Sequence, residues 1–448
     1  MLDWIWPYIE PHIDKDQMGG VPGCSIEHYV VKMMEFILKS LDGDSDAAVL
    51  AVAVDYRKAF NRMLHSNILC SLAALNVPTC AIRIIKSYLT QRSMCVQYKG
   101  AESDFKKCPG GGPQGGLLTC VFFILQVNKA GSPCTLTRRV LPILGNPAIR
   151  KEIVMNTNQY EIEGHSELPA LRNENVIPQP CHNQEKLHKK SYVDDLTLLE
   201  KMSLSDLQQK QRLIGPLNYH DRFNLTLPPE KSILQHQLLD LVRYTAQQSM
   251  VLNEKKTKCL PFILSQTKDF QPELSLEEGE FLEVVYKLKL VGLVITSCLT
   301  WEEHVSYTVK RVNSILWQLT RFKQAGGSQE KLLKFYVLKI MSILMFGAVC
   351  FHSSLTLEQR NCLELQIKRS LVIILGSNYR SYSQARSQTN LPDLNQLREE
   401  ACEKWALKAQ ASQKHTHLFP LNSSQVETRH KKKFSEPLCK TAIYFNLA

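Results

Sequence analysis

The sequence predicts an α+β fold assembled from several segments, and three observations carry that prediction. An apolar run from Ala47 to Val54 lacks alternation and stops at Asp55, as a strand buried on both faces does when it delivers one side chain to a site. Beyond Trp301 the chain reads as helices, with Val305, Val309, Val312, Leu316 and Leu319 in one stripe. A length of 448 residues, at roughly 100 to 200 per domain, implies two to four units and excludes a single small fold.

Residues 1–45 open with aromatics and Pro7, pass a turn region at Gly19-Gly20-Val21-Pro22-Gly23, and enter a helix predicted over Tyr29 to Leu41. After Asp55, helical periodicity covers Ala59 to Leu75 and Ala81 to Thr90. A hairpin predicted over Met94 to Cys108 leads through Pro109 and three glycines to Pro113-Gln114-Gly115-Gly116, and then to an apolar helix, Leu117 to Val127. Six prolines between Pro133 and Pro180 mark a long loop or insertion. Alternation resumes over Ser191 to Leu199, and a helix over Ser232 to Ala246 places Leu234, Leu238, Leu241 and Thr245 on one face. The organisation read from these signals is 1–45, 46–128, an insertion 129–188, 189–300, a helical region 301–380 and an extension 381–448.

With 44% hydrophobic and 22% charged residues the composition is that of a globular protein, not a disordered or fibrous one. Lys and Arg number 54 against 43 Asp and Glu, a net charge of +11 that suits a nucleic-acid partner without requiring one. The fourteen cysteines never form a C-x-x-C pair, so neither a zinc ribbon nor a thioredoxin-type motif is supported, and reduced thiols in an intracellular protein are expected. Met1 is followed by Leu2, Asp3 and Trp4 without a basic region, and the longest apolar stretch, Ile340 to Phe351, falls short of a membrane span. The expectation is an unsecreted chain of the nucleus or cytoplasm with no membrane partner.

The sharpest chemical signal is Tyr192-Val193-Asp194-Asp195, preceded by Lys189-Lys190 and followed by Leu196, Leu198 and Leu199. It reads as a hairpin with adjacent carboxylates at its tip, although a solvated turn is the plain alternative. Asp55, followed by Lys58-Ala59-Phe60, supplies a third carboxylate at a strand end. Carboxylates gathered in this way repel one another and resist desolvation unless divalent cations neutralise them. Mg²⁺ shared between carboxylates and substrate phosphates is the arrangement used for two-metal phosphoryl transfer.

In order and over most of its length the chain resembles the reverse transcriptases of non-LTR (LINE-type) retrotransposons. The matching strings are Gln17-Met18-Gly19-Gly20, Asp55-Tyr56-Arg57-Lys58-Ala59-Phe60, Gly112-Pro113-Gln114-Gly115 and Tyr192-Val193-Asp194-Asp195. They continue with Asn253-Glu254-Lys255-Lys256-Thr257, Leu290-Val291-Gly292-Leu293 and Leu299-Thr300-Trp301-Glu302-Glu303-His304. The helical region adds Leu363-Glu364-Leu365-Gln366-Ile367-Lys368-Arg369 and Ile373-Ile374-Leu375-Gly376.

The resemblance implies a polymerase right hand: a partial fingers segment, a palm on a small antiparallel sheet, a helical thumb and a basic C-terminal extension. It implies that Asp55, Asp194 and Asp195 hold two Mg²⁺ ions, with Mn²⁺ as a substitute, and that RNA template, DNA primer and dNTPs are the partners. Phe60 would exclude a 2′-hydroxyl, with a core phenylalanine as the alternative. Gln114 and Gly115 would contact the nucleotide beside Tyr192, with a plain turn as the alternative. Lys256 would protonate or neutralise the departing pyrophosphate, with a solvated lysine as the alternative, and Leu290 to Gly292 would form the primer-grip hairpin, with ordinary sheet core as the alternative.

Asn61 and Gly116 depart from the family pattern, and the family's basic triphosphate-binding strands before Gln17 are not matched, so a catalytically weak remnant that only binds nucleic acid is the rival expectation. Lys310, Arg311, Arg321 and Lys323 would face the template-primer duplex. The last 48 residues carry eight Lys/Arg against three Asp/Glu, densest at Arg429, Lys431, Lys432 and Lys433. That run suits phosphate backbones, nuclear localisation or simple solvation.

Overall fold

The computed structural model describes residues 1–42, 44, 47–108, 110–128, 130, 187–203, 233–263, 272, 274–277, 280–412, 414–415 and 418–419. The predicted insertion lies almost wholly outside these residues, as do Arg429, Lys431, Lys432 and Lys433. In chain order the helices are α1 (Leu2–Ile9), α2 (Ile26–Leu41), α3 (His65–Ala74), α4 (Thr79–Leu89), α5 (Leu117–Val127) and α6 (Ile233–Gln247). They continue with α7 (Glu302–Gln324), α8 (Gln329–Phe335), α9 (Ser342–Met345), α10 (Leu357–Leu375), α11 (Tyr382–Thr389) and α12 (Leu394–Ala411). The chain forms two compact units, the first from Met1–Cys24, Leu50–Cys259 and Asp269–Val284, the second from Ser25–Val49, Leu260–Lys268 and Val285–Ala448.

The principal sheet contains β1 (Ala47–Val54), β6 (Leu187–Tyr192), β7 (Asp195–Ser203), β8 (Lys258–Ile263) and β11 (Glu283–Val284), in the order β11-β8-β1-β7-β6. All eight residues of β1 are buried, which accounts for its unbroken apolar run. β6 and β7 pair antiparallel with Tyr192 opposite Asp195, so Val193 and Asp194 form the turn between them. The apolar α5 buries Val121, Phe122, Phe123 and Ile124 in the first unit, and α6 buries Leu234, Leu238, Leu241 and Thr245, the face predicted for it.

The helix predicted over Ala59 to Leu75 is interrupted. A single 3₁₀ turn spans Ala59–Asn61, and α3 begins only at His65. The glycine loop takes the carbonyls that a continuous helix would use: Gly112 N donates to Phe60 O at 3.0 Å and Gly111 N to Met63 O at 2.9 Å.

The hairpin predicted over Met94 to Cys108 forms two short ladders, β2 (Ser93–Met94) with β5 (Lys106–Lys107) and β3 (Gln97–Tyr98) with β4 (Ala101–Glu102). A further small ladder joins β9 (Ser275–Glu277) to β10 (Glu280–Phe281).

In the second unit β12 (Lys287–Leu290) and β13 (Leu293–Thr296) form a hairpin turned by Val291 and Gly292, both at positive φ. Helix α7 buries Val305, Val312, Leu316 and Leu319 of the predicted stripe, while Val309 is only partly covered. Thr356 and Gln359 cap the start of α10 reciprocally, each backbone N–H bonded to the other's side chain. Arg398 of α12, fully buried, donates to Leu344 O at 2.6 Å. The helical run Gln329–Cys350 is long and apolar enough to cross a membrane by length and composition, and a third of it is buried within the fold.

Candidate functional site

Asp55 leaves the end of β1 and is fixed by a loop about 200 positions away. Its backbone N–H donates to Thr257 Oγ1 at 3.3 Å, and its carbonyl accepts from Asn253 N at 2.7 Å. Asn253 Nδ2 donates to Asp55 Oδ2 at 3.0 Å, and Lys256 Nζ stands 3.9 Å from the same oxygen. Arg57 N bonds Val251 O at 2.8 Å, and Tyr56 bridges Leu252, so two strand-like segments run side by side here. Thr257 is buried while the Lys256 side chain is exposed. The Asn-x-x-Lys-Thr string thus turns one carboxylate and places one ammonium beside it.

Asp194 and Asp195 come from the β6–β7 tip, which is braced by the segment before Gly20. Ser191 N donates to Asp16 O at 3.0 Å and Met18 N to Ser191 O at 2.8 Å, adding a short parallel edge to β6. Lys189 pairs with Asp14 at 2.6 Å and Lys190 with Asp16 at 2.5 Å, so the basic pair before the tip anchors this edge. Gln17 Oε1 accepts from Val193 N at 3.0 Å. Val193 sits at φ 56°, a left-handed conformation that is strained for a β-branched residue. Gly19 passes so close that a Cβ there would lie 2.4 Å from Val193 N.

The three carboxylates form one electrostatic neighbourhood. Burial, and then the Asp55 carboxylate, hold the half-buried Asp194 carboxyl above its ordinary range. Burial, followed by repulsion from Asp194 and Asp55, pushes Asp195 up to about 6. Burial, and then Tyr244 and Asp194, push the buried Tyr56 phenol up, and burial together with Asp194 raises the Cys120 thiol. Strand ends 139 positions apart in sequence therefore deliver like charges to one place.

Among the described residues no group of three or more His, Cys, Asp or Glu side chains forms a ready metal cage. The donor set is nevertheless all carboxylate oxygen, which suits Mg²⁺ or Mn²⁺, and Mg²⁺ is commonly held by one or two carboxylates with substrate phosphates completing its shell.

Phe60 is half-buried, its ring 5.3 Å from that of Phe123, which also meets Tyr56 edge-on at 5.7 Å. The Gly111 backbone lies against Phe60 O and Asn61, where a Cβ would stand 2.8 Å from Phe60 O. His65 Nε2 lies 2.7 Å from Gly111 O, and Thr119 Oγ1 donates to Pro113 O at 2.8 Å. These bonds hold Gln114 and Gly115 at an exposed turn, with Gly115 at φ +88° and open space around it. Tyr192, opposite Asp195, is half-buried. Sequence reasoning did not assign Asn253, Gln17 or Gly19 a role at the site, although all three lie inside strings that resemble the family; Cys120 carried no signal.

In the second unit, Lys310, Arg311 and Arg321 are exposed on α7. Arg311 and Lys289 flank the Tyr307 ring at 5.6 and 4.9 Å, and Arg321 covers the exposed Trp317 at 5.3 Å. A hydrogen bond from Lys289 lowers the Tyr307 phenol's proton affinity. Lys323 is placed differently: it donates to the carbonyls of Ile373 and Ile374 near the end of α10. Its charge is drawn to the negative end of that helix, so it serves as a cap within the helical unit.

No family model matches the chain, and no curated protein matches it. Among solved structures it is similar to Candida tropicalis telomerase in complex with the TWJ fragment of telomeric RNA, at 12% identity and TM-score 0.39, over 87% of this chain and 47% of that one. Apo telomerase from Candida tropicalis gives 13% identity and TM-score 0.38, over 90% of this chain and 54% of that one. The Candida albicans enzyme with its TWJ fragment gives 11% and 0.34, over 87% and 57%. The chain spans about half the length of these telomerase chains.

Proposed function

We propose that the chain is a template-directed nucleotidyltransferase, an RNA-directed DNA polymerase of the reverse-transcriptase type and, more narrowly, of non-LTR retrotransposon kind. The observation that carries the proposal is the meeting of Asp55 with Asp194 and Asp195 at the ends of adjacent strands, where the Asp55 carboxylate adds to the ionisation cost of both Asp194 and Asp195. The ordered strings around them in the sequence support the same reading. The right-hand architecture belongs to the proposal, with the principal sheet as palm and α7 to α10 as thumb.

The reaction is attack of a primer 3′-hydroxyl on the α-phosphorus of a dNTP, forming a phosphodiester bond and releasing pyrophosphate. Two Mg²⁺ ions, with Mn²⁺ as a substitute, would be held by Asp55, Asp194 and Asp195 and would supply activation of the hydroxyl and neutralisation of the leaving phosphates. Asn253 orients Asp55 by occupying one of its oxygens, and Lys256, 3.9 Å from the same carboxylate, would neutralise or protonate the leaving group. Phe60, braced by Phe123, sets its ring against a 2′-hydroxyl, while the open Gln114-Gly115 turn lets backbone approach the nucleotide. Arg311 and Arg321, each set on an aromatic ring, would hold phosphate backbone along α7 with Lys310.

The test is primer extension on an RNA template by the full chain with Mg²⁺ or Mn²⁺. Asp194→Asn should abolish extension and leave RNA binding intact. Extension that survives Asp194→Asn, or is absent from the wild type with both metals while binding persists, refutes the proposal.

A further inference from the structure

The hairpin over residues 93–107 projects into solvent with its apolar face outward. Every residue from Gln97 to Lys107 is exposed. A lone two-stranded hairpin is marginal in water and gains stability only by covering one face. Pairing sets Met94 opposite Lys106 and Tyr98 opposite Ala101, and the alternation of an extended chain puts Met94, Val96 and Tyr98 on the same side. Their exposures are 57%, 69% and 69%, so this side is an open apolar stripe. The other side carries the Gln97–Glu102 cross-strand hydrogen bond of 3.1 Å, the polar decoration expected of a solvated face.

Cations accompany the stripe. Lys99 Nζ stands 5.4 Å from the Tyr98 ring centroid, Lys106 lies beside Met94, and Lys107 follows. Lysine is depleted from the cores of protein–protein interfaces, whereas an aromatic platform edged by ammonium groups matches stacked bases joined by phosphates.

We propose that this hairpin is a docking surface for single-stranded nucleic acid, with a base stacked on Tyr98 and adjacent phosphates held by Lys99 and Lys106. The inference rests on the polymerase reading for its ligand class and uses none of the residues of the carboxylate site.

The experiment measures binding of fluorescein-labelled oligouridine to the full chain by anisotropy over a series of salt concentrations. Tyr98→Ala should weaken binding about tenfold and Tyr98→Trp should restore it. Lys106→Ala should weaken binding and reduce the salt slope by about 0.7, the value for one phosphate on a single strand. These side chains are exposed, so circular dichroism should be unchanged.

Affinity and slope equal to wild type in Tyr98→Ala and Lys106→Ala overturn the inference, as does failure of the wild type to bind. Variants that change only the sedimentation of the chain, with RNA binding intact, would make the stripe a contact between copies and overturn it too. Asp194→Asn should bind as wild type does. Loss of polymerase chemistry and loss of hairpin binding are therefore separately visible.

Discussion

Placing a methyl group on Gly19 tests whether the carboxylate tip is clamped from behind. The added Cβ would lie 2.4 Å from Val193 N, 2.6 Å from Val193 Cγ2 and 2.7 Å from the Tyr192 carbonyl carbon, where ordinary contact begins at 3.4 Å. The turn must retreat by about 1 Å, and because two of those atoms are backbone no rotamer change relieves the clash. Overpacking of this kind costs about 1–3 kcal/mol of stability. A catalytic group displaced by about 1 Å costs on the order of a hundredfold in rate. Gly19→Ala should therefore lower the urea midpoint moderately and slow single-turnover primer extension about a hundredfold, with RNA affinity unchanged. Wild-type extension and an unshifted midpoint would show that the segment around Gly19 does not set the position of Asp194.

Phe60→Ala should admit ribonucleotides into the product, read as alkali-labile linkages; unchanged discrimination would leave Phe60 as a brace for Phe123 alone. Lys323→Met should cost about 1–2 kcal/mol by releasing the carbonyls of Ile373 and Ile374, with no change in the salt slope of RNA binding; an altered slope would return Lys323 to the nucleic-acid face.

Burial, and then Arg398 and Arg311, depress His304 from 6.5 to about 4, so the unfolded chain binds a proton that the folded chain refuses. Stability should fall by up to about 3 kcal/mol as pH drops from 6.5 to 4, and urea titrations of His304→Gln should lose that component. A variant with the wild-type acid slope would assign it elsewhere.

Much of the fold was legible because it depends on local pattern. The unbroken apolar run of β1, the amphipathic stripe of α7 and the paired Asp194 and Asp195 each reflect an environment that neighbouring residues share. What was not legible depends on partners remote in sequence. Nothing near Lys323 indicates that carbonyls 50 positions away will claim it, so the family resemblance set it with the other α7 cations against the duplex. The pair Lys189-Lys190 read as basic flanks until Asp14 and Asp16 took them up. The helix predicted from Ala59 failed for the same reason, since the competitor for its carbonyls lies in the Gly111-Gly112 loop.

Val193 has a consequence of another kind. A valine held at φ 56° lies roughly 1–2 kcal/mol above the conformation it would choose, and it remains there because Gln17 and Gly19 leave the turn no alternative. Glycine at that position would relieve the strain and also multiply the directions in which Asp194 can point. In the proposed polymerase, thermal robustness and rate of extension therefore favour opposite residues at this position. A population screened only for heat resistance should drift toward glycine at position 193, and one screened for rapid extension should keep the branched side chain.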